Sequence, residues 1–164
     1  MRIKDFPYQK GFTHGGKFHS DDVFATALLK YINPEFKATR GLLVPEEFDG
    51  IVYDIGGGEF DHHQADKRVR ENGVPYAAFG LVWERFGPQL VGEEEAKRFD
   101  HSFIEDLDLS DNTGSKSELA DAIADFNPGW DSDEPVDEAF EKAVEFALTI
   151  LTNHFRQVEG IRRG

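Results

Sequence analysis

From residue 20 onward, Val23, Phe24, Ala27, Leu28 and Tyr31 recur at the three- and four-residue intervals of one helical face. Ser20, with Asp21 and Asp22 behind it, is the expected N-cap and acidic first turn, and Asn33-Pro34 ends the helix. The flanking segments are shorter and carry no such period. GFTH (11–14) and FKATRG (36–41) read as strands. GIVYDI (50–55) is a compact apolar strand that closes on an aspartate and runs into Gly56-Gly57-Gly58. Helical spacing then returns over 76–86, 92–112 and 116–126. After a break at Asn127-Pro128-Gly129, a long helix is expected over 134–158, with Phe140, Ala143, Val144, Ala147, Ile150, Leu151 and Phe155 on one stripe.

Strand, helix, strand, strand is the rhythm of an α/β layer, so the expected fold is a parallel sheet flanked by helices with a helical C-terminal part. No repeat or low-complexity linker interrupts it, and residues 1–164 are expected to form a single domain. Parallel sheets bind ligands beyond the carboxyl ends of their strands. His14 and Asp54 each stand at such an end, which puts two polar clusters on one edge of the sheet.

Composition narrows the chemistry. Fifteen Phe and 13% aromatic residues support a real core, despite 30% charged residues. The absence of cysteine leaves histidine and carboxylate as the only strong metal donors, which favours manganese, magnesium or zinc. MRIKDFPYQKGF has no apolar signal-peptide stretch, and no window approaches about 18 consecutive apolar residues. A cytoplasmic location without a membrane partner is therefore expected. The net charge of −14 is uneven: residues 1–80 carry 10 basic and 12 acidic side chains, residues 81–164 carry 8 and 20. Such a surface repels long nucleic-acid backbones, so a phosphate-bearing ligand must dock on the near-neutral first half.

Four of the six histidines fall in THGGKFHSDD (13–22) and FDHHQ (60–64), with Asp54 between them in sequence. A two-ion site needs several imidazoles and carboxylates, one of them bridging. His14, His19, Asp21, Asp54, His62 and a later aspartate would suffice, with Asp111 the first choice and Asp108 the second. Singly, each has a plain reading as a strand end, a helix cap or a solvated turn; their convergence on one edge favours the metal reading. Asp22 is a candidate catalytic carboxylate that otherwise charges the helix N-terminus. Lys67, Arg68, Arg70 and Asn72 form a basic stretch after the double histidine. Arg68, Arg70 and Asn72 are candidates to clamp phosphate, since guanidinium forks match phosphate oxygens. His101 and His154 lie in helical patterns and read as structural or surface residues. No Walker lysine motif, GxGxxG or nucleophile elbow is present, which disfavours nucleotide-dependent kinases, dehydrogenases and serine hydrolases.

The ordered stretches THGGKFHSDDVFATALL, VYDIGGGEFDHHQ, RVRENGVPYAAFGLVWERFG and, more loosely, FIEDLDLSDN resemble the melanocyte-proliferating-gene-one (Myg-one) family, a branch of the DHH phosphoesterase superfamily. The resemblance implies an α/β domain that binds two divalent ions, manganese first, and hydrolyses phosphoric esters or anhydrides. By motif, His14, His19 and Asp21 stand in the first ligand-bearing stretch, Asp54 in the second, His62 in the third and Asp111 in the fourth. His63 matches the second histidine of the signature, which faces the phosphate. His19 departs from the usual aspartate and lies one residue later. Relatives are two-lobed, and the helix over 134–158 would connect to a second lobe.

The expected function is a metal-dependent exonuclease-like phosphodiesterase acting on RNA or short oligonucleotides. Two alternatives stay open: the same chemistry on a small phosphoester or pyrophosphate, and a non-catalytic metal-binding interaction module. A homodimer through the apolar stripe of the last helix is a further expectation.

Overall fold

A computed structural model describes residues 3–164. Three strands, β1 (Lys10–His14), β2 (Lys37–Gly41) and β3 (Ile51–Val52), form a parallel sheet in the order β2-β1-β3. Helix α1 (Ser20–Ile32) joins β1 to β2, and α2 (Ala78–Val91) and α3 (Glu93–Phe99) follow the sheet. A π-helical turn, Asp100–Ile104, leads directly into α4 (Glu105–Thr113). Helices α5 (Glu118–Ala124) and α6 (Val136–Arg163) complete the chain. The architecture is α/β with a helical C-terminal part. The helix read over 92–112 is thus one path with a widened turn inside it, and the third strand is shorter than its apolar run, continuing only as a bridge between Tyr53 and Phe60.

The strand order positions everything that follows. Chain direction takes β1 to β2 on one side and then to β3 on the other, so the order reverses beside β1. At such a switch point the loops after neighbouring strands diverge and leave a crevice at their carboxyl ends. His14 ends β1, and Asp54 follows Tyr53, whose N–H donates to Phe12 O at 3.1 Å. Asp54 takes a left-handed backbone (φ 58°), an uncommon conformation for a residue with a Cβ. It ends the strand direction there and leaves the carboxylate in the crevice.

Helix α1 is buried on nearly every side, because it packs against both α2 and α6. Its N-cap is His19, one residue earlier than the sequence pattern suggests: the His19 N–H donates to Asp22 Oδ1 at 2.8 Å, which closes the first turn. The apolar stripe of α6 (Phe140, Ala143, Val144, Ala147, Leu151, Phe155) is buried within the chain against α1. Those apolar residues are therefore already covered within the chain, and the expectation of a homodimer draws no support from them. Arg40 ties the same helix to the first loop, donating to Asp137 Oδ1 at 2.6 Å and to Gly16 O at 2.7 Å across the Phe140 ring. Among the described residues, no helix is long and apolar enough to cross a membrane.

Candidate metal centre

The first loop leaves β1 through Gly15 and Gly16. The Gly15 N–H donates to Gly41 O at 2.8 Å, and Gly16 has φ 73°, which suits a residue without Cβ. This turn returns the chain to α1 close to the strand it left, so His14, His19, Asp21 and Asp22 face one crevice. The stretch after β3 contributes Asp54, His62 and His63, and α4 contributes Asp111.

Distances within the crevice are short. His14 Nε2 lies 3.2 Å from both Asp22 Oδ2 and Asp54 Oδ2. His62 Nε2 lies 3.0 Å from Asp54 Oδ1, 3.1 Å from Asp111 Oδ2 and 3.3 Å from Asp21 Oδ2. Asp54 thus turns one oxygen to each histidine, the disposition of a bridging carboxylate. Three donor groups lie close enough to share an ion: His14, His19 and Asp22; Asp54, His62 and His63; Asp21, His62 and Asp111.

Electrostatics distinguish the centre from an ordinary ion-pair network. Asp21, Asp22 and Asp54 are all buried, while His62 Nε2 carries at most one proton to share among three carboxylates. Burial disfavours charge on His14, yet the Asp54 hydrogen bond and the Asp22 charge outweigh it and push the ring up to about 9. His62 is raised further, since Asp111, Asp21 and Asp54 together overcome its burial. Burial, then repulsion from Asp54, lifts Asp22 to about 7 against the pull of His14. Burial and the Asp54 charge likewise raise Asp21. Asp54 goes the other way, to about 2, because hydrogen bonds from His14 and His62 overcome its burial. Asp22 Oδ2 is fully buried and lies out of line for a hydrogen bond with His14, leaving an oxygen without a partner. A buried orphan oxygen beside excess carboxylates and imidazoles is what a site for divalent cations needs, and the all-N/O donor set suits manganese, magnesium or zinc.

Asp21 has a second task. The first N–H groups of α2 have no cap from Ala77, and Asp21 supplies it: Oδ2 accepts from Ala78 at 3.0 Å and Oδ1 from Phe79 at 2.7 Å. One carboxylate thus anchors α2 and faces His62.

Three of the residues singled out in the sequence lie elsewhere. Asp108, the alternative fourth-motif ligand, points away from the crevice: it is 0% exposed and accepts from Arg70 Nη2 at 2.8 Å. Its other oxygen accepts from the Gly80 N–H at 3.3 Å, so its carboxylate is taken up by Arg70 and α2, and it is Asp111, one turn further along α4, that reaches His62 at 3.1 Å. Arg70 is corrected as a phosphate clamp, because its side chain is 5% exposed, forks onto Asp100 at 2.7 Å twice, and lies 4.2 Å from the Tyr76 ring. Asn72 donates to Glu105 Oε1 at 2.5 Å, while His101 Nδ1 contacts Oε2 of the same carboxylate, so Asn72 fastens the loop to α4 instead of facing the crevice. Arg68 keeps an open position. It is half exposed, pairs with Glu84 at 2.6 Å, and lines a cavity of about 420 Å³ with Lys67, Gln64, Tyr76 and His62.

Three other residues join the site. Lys17 lines the cavity of about 330 Å³ over the centre, together with His14, His19, Asp54, His63 and Asp111. Asp61 Oδ1 lies 2.7 Å from His63 Nδ1, and that ring remains 60% exposed. Burial raises Asp61, but the Gly57 N–H and the His63 ring hold it below the usual carboxylate range. Asn112 bonds His62 from behind at 3.0 Å. The only sequence signal for each was adjacency, since each sits one to three residues from a candidate ligand.

Fold and site define an α/β domain with a histidine–carboxylate centre, suited to divalent metal, at the switch point of its sheet. Residues 11–161 match the MYG1 exonuclease model, described as an uncharacterised protein family (UPF0160), and the chain belongs to that family. It is similar to the MYG1 protein of Caenorhabditis elegans, 29% identical over 175 residues that cover 82% of this chain and 51% of the relative. The MYG1 exonuclease of Mus musculus is 29% identical over 177 residues, 81% of this chain and 46% of its own. The MYG1 protein of Schizosaccharomyces pombe is 26% identical, covering 90% and 57%. The chain spans about half the length of the curated relatives it matches. No solved structure matches it.

Proposed function

We propose that this chain is a phosphohydrolase of the DHH phosphoesterase type, dependent on two divalent ions, manganese first, and acting as an exonuclease on short or single-stranded RNA. The observation that carries this reading is Asp54, with Oδ2 at 3.2 Å from His14 and Oδ1 at 3.0 Å from His62, between two sets of donors. His14, His19 and Asp22 would hold one ion and Asp21, His62 and Asp111 the other, with Asp54 shared. When bound, the ions supply Lewis-acid neutralisation of phosphoryl charge and lower the pKa of the attacking water. The names of the mammalian relatives, MYG1 exonuclease, support a nuclease reading.

The chain's own groups do the rest. His63 is a catalytic residue in this reading. Asp61 Oδ1 lies 2.7 Å from its Nδ1 and orients the ring, which leaves Nε2 to donate a hydrogen bond or proton to a phosphoryl oxygen. Lys17, across the same cavity, contacts the scissile phosphate, and Arg68 with Lys67 holds a neighbouring one. The acidic second half, with 20 acidic against 8 basic residues, discourages long duplexes.

The test is manganese-dependent shortening of an end-labelled oligoribonucleotide by the purified protein. A ladder shortened from one end is expected, lost on chelation and in Asp54→Asn. His62→Ala cleaving as fast as wild type would overturn the assignment. Inorganic phosphate released from small phosphoesters, with RNA untouched, would move the substrate to that class.

A further inference from the structure

Asn112 follows Asp111 on α4 and makes three hydrogen bonds through one amide. Its Nδ2 donates to Tyr76 O at 3.0 Å and to Asp108 O at 3.0 Å, and its Oδ1 lies 3.0 Å from His62 Nδ1. Two backbone carbonyls only accept, so the NH2 end of the amide must face them. The oxygen is then the only end left for the imidazole. An amide oxygen only accepts, so His62 Nδ1 must carry the proton in that pair. The other ring nitrogen, Nε2, is the one turned toward Asp21, Asp54 and Asp111. Flipping the amide would set its oxygen against two carbonyl oxygens and its NH2 against an N–H. The NH2 end is thus fixed by two backbone carbonyls, one from the segment preceding α2 and one from the preceding turn of α4.

Resting on the metal reading above, we propose that Asn112 is a positioning residue for the metal centre. Its amide holds His62 in the tautomer protonated on Nδ1, so that Nε2 alone is presented to the cation. The logic is that of other metal sites, where the partner of the second ring nitrogen sets both tautomer and ring orientation. It also explains the side-by-side pair Asp111-Asn112: one helical turn delivers a candidate ligand and the group that orients another. The backbone acceptors link that orientation to the first turn of α2, which Asp21 caps.

Two measurements test this. The first uses wild-type protein loaded with diamagnetic Zn2+, with the His62 signal identified by its loss in His62→Gln. Long-range 1H–15N spectra are expected to show His62 ligated through Nε2 with a protonated Nδ1; ligation through Nδ1 overturns the proposal. The second is calorimetric Mn2+ binding to Asn112→Leu, with the metal-free melting curve recorded in parallel. Affinity is expected to fall about 10- to 100-fold, as for other outer partners of ligating histidines. Unchanged affinity in a folded Asn112→Leu overturns the proposal. If that variant does not fold, the wild-type spectrum decides. Wild-type protein that binds neither Zn2+ nor Mn2+ overturns the metal reading itself, a separate failure from ligation through the wrong nitrogen.

Discussion

Arg68 and Arg70 lie two residues apart in one basic stretch, yet their surroundings give them opposite work. Arg70 is buried against Asp100 and Asp108, and its guanidinium leaves no face for a ligand. Gly80 completes the arrangement: a Cβ there would collide with the Asp108 carboxylate and the Arg70 guanidinium, so only glycine admits their pairing beside α2. Arg70→Ala should cost about 3–5 kcal/mol, since it strands the buried Asp108 carboxylate without its partner. Arg68→Ala should cost under about 1 kcal/mol, because an exposed pair with Glu84 contributes little. In the proposed reading Arg68→Ala raises KM for an oligonucleotide several-fold with kcat kept. Urea unfolding and steady-state kinetics on the two variants check this contrast. Equal stability losses would show that the burial argument misjudges Arg70.

At the scale of elements, α6 carries a built-in acid sensitivity. The His154 ring lies tilted at 49° against Phe99, 4.5 Å between centroids, and its Nε2 is buried without a hydrogen-bond partner. Burial lowers its pKa from the ordinary 6.5, with Glu95 opposing. The unfolded chain therefore takes up this proton more readily than the folded one. The resulting stability is fully present above about pH 6.5 and is lost as pH falls from there through the folded-state value. His154→Phe, which suits an aromatic environment, should remove that loss. Melting temperatures of variant and wild type should then diverge as pH falls from 7 to 5. Parallel curves would assign the acid limb to other groups.

For the whole molecule, charge limits how nucleic acid can be held. A net charge of −14 leaves few cations near the centre, with Lys17, Lys67 and Arg68 those that line its cavities. For single strands the salt slope of log affinity is about −0.7 per phosphate neutralised. Three contacts thus predict a slope no steeper than about −2. Measuring kcat/KM for a short oligoribonucleotide between 50 and 200 mM salt checks this, and a much steeper slope would reveal a basic surface outside these residues. A duplex of the same sequence should be cut more slowly at every salt concentration.

The sequence by itself determined the elements and the edge on which chemistry would gather. Period changes around 20–32 and 134–158 are local signals of burial, and parallel strands force His14 and Asp54 to the same end because their directions agree. Asp111 was legible as a candidate, but its preference over Asp108 was decided by the direction each projects from α4, which depends on how that helix sits against α1 and α2. Arg70 meeting Asp100 and Asp108, Asp21 capping α2, and Asn112 bonding His62 join residues 30 to 58 positions apart. No periodicity reports such pairs, since they follow from the docking of whole elements. The tertiary structure thereby divided one basic stretch into a buried strut and an open cation, and used up the stripe of α6 inside the fold. The reason is the same throughout: local pattern fixes which face of an element is apolar, and only packing fixes which polar groups are left facing each other.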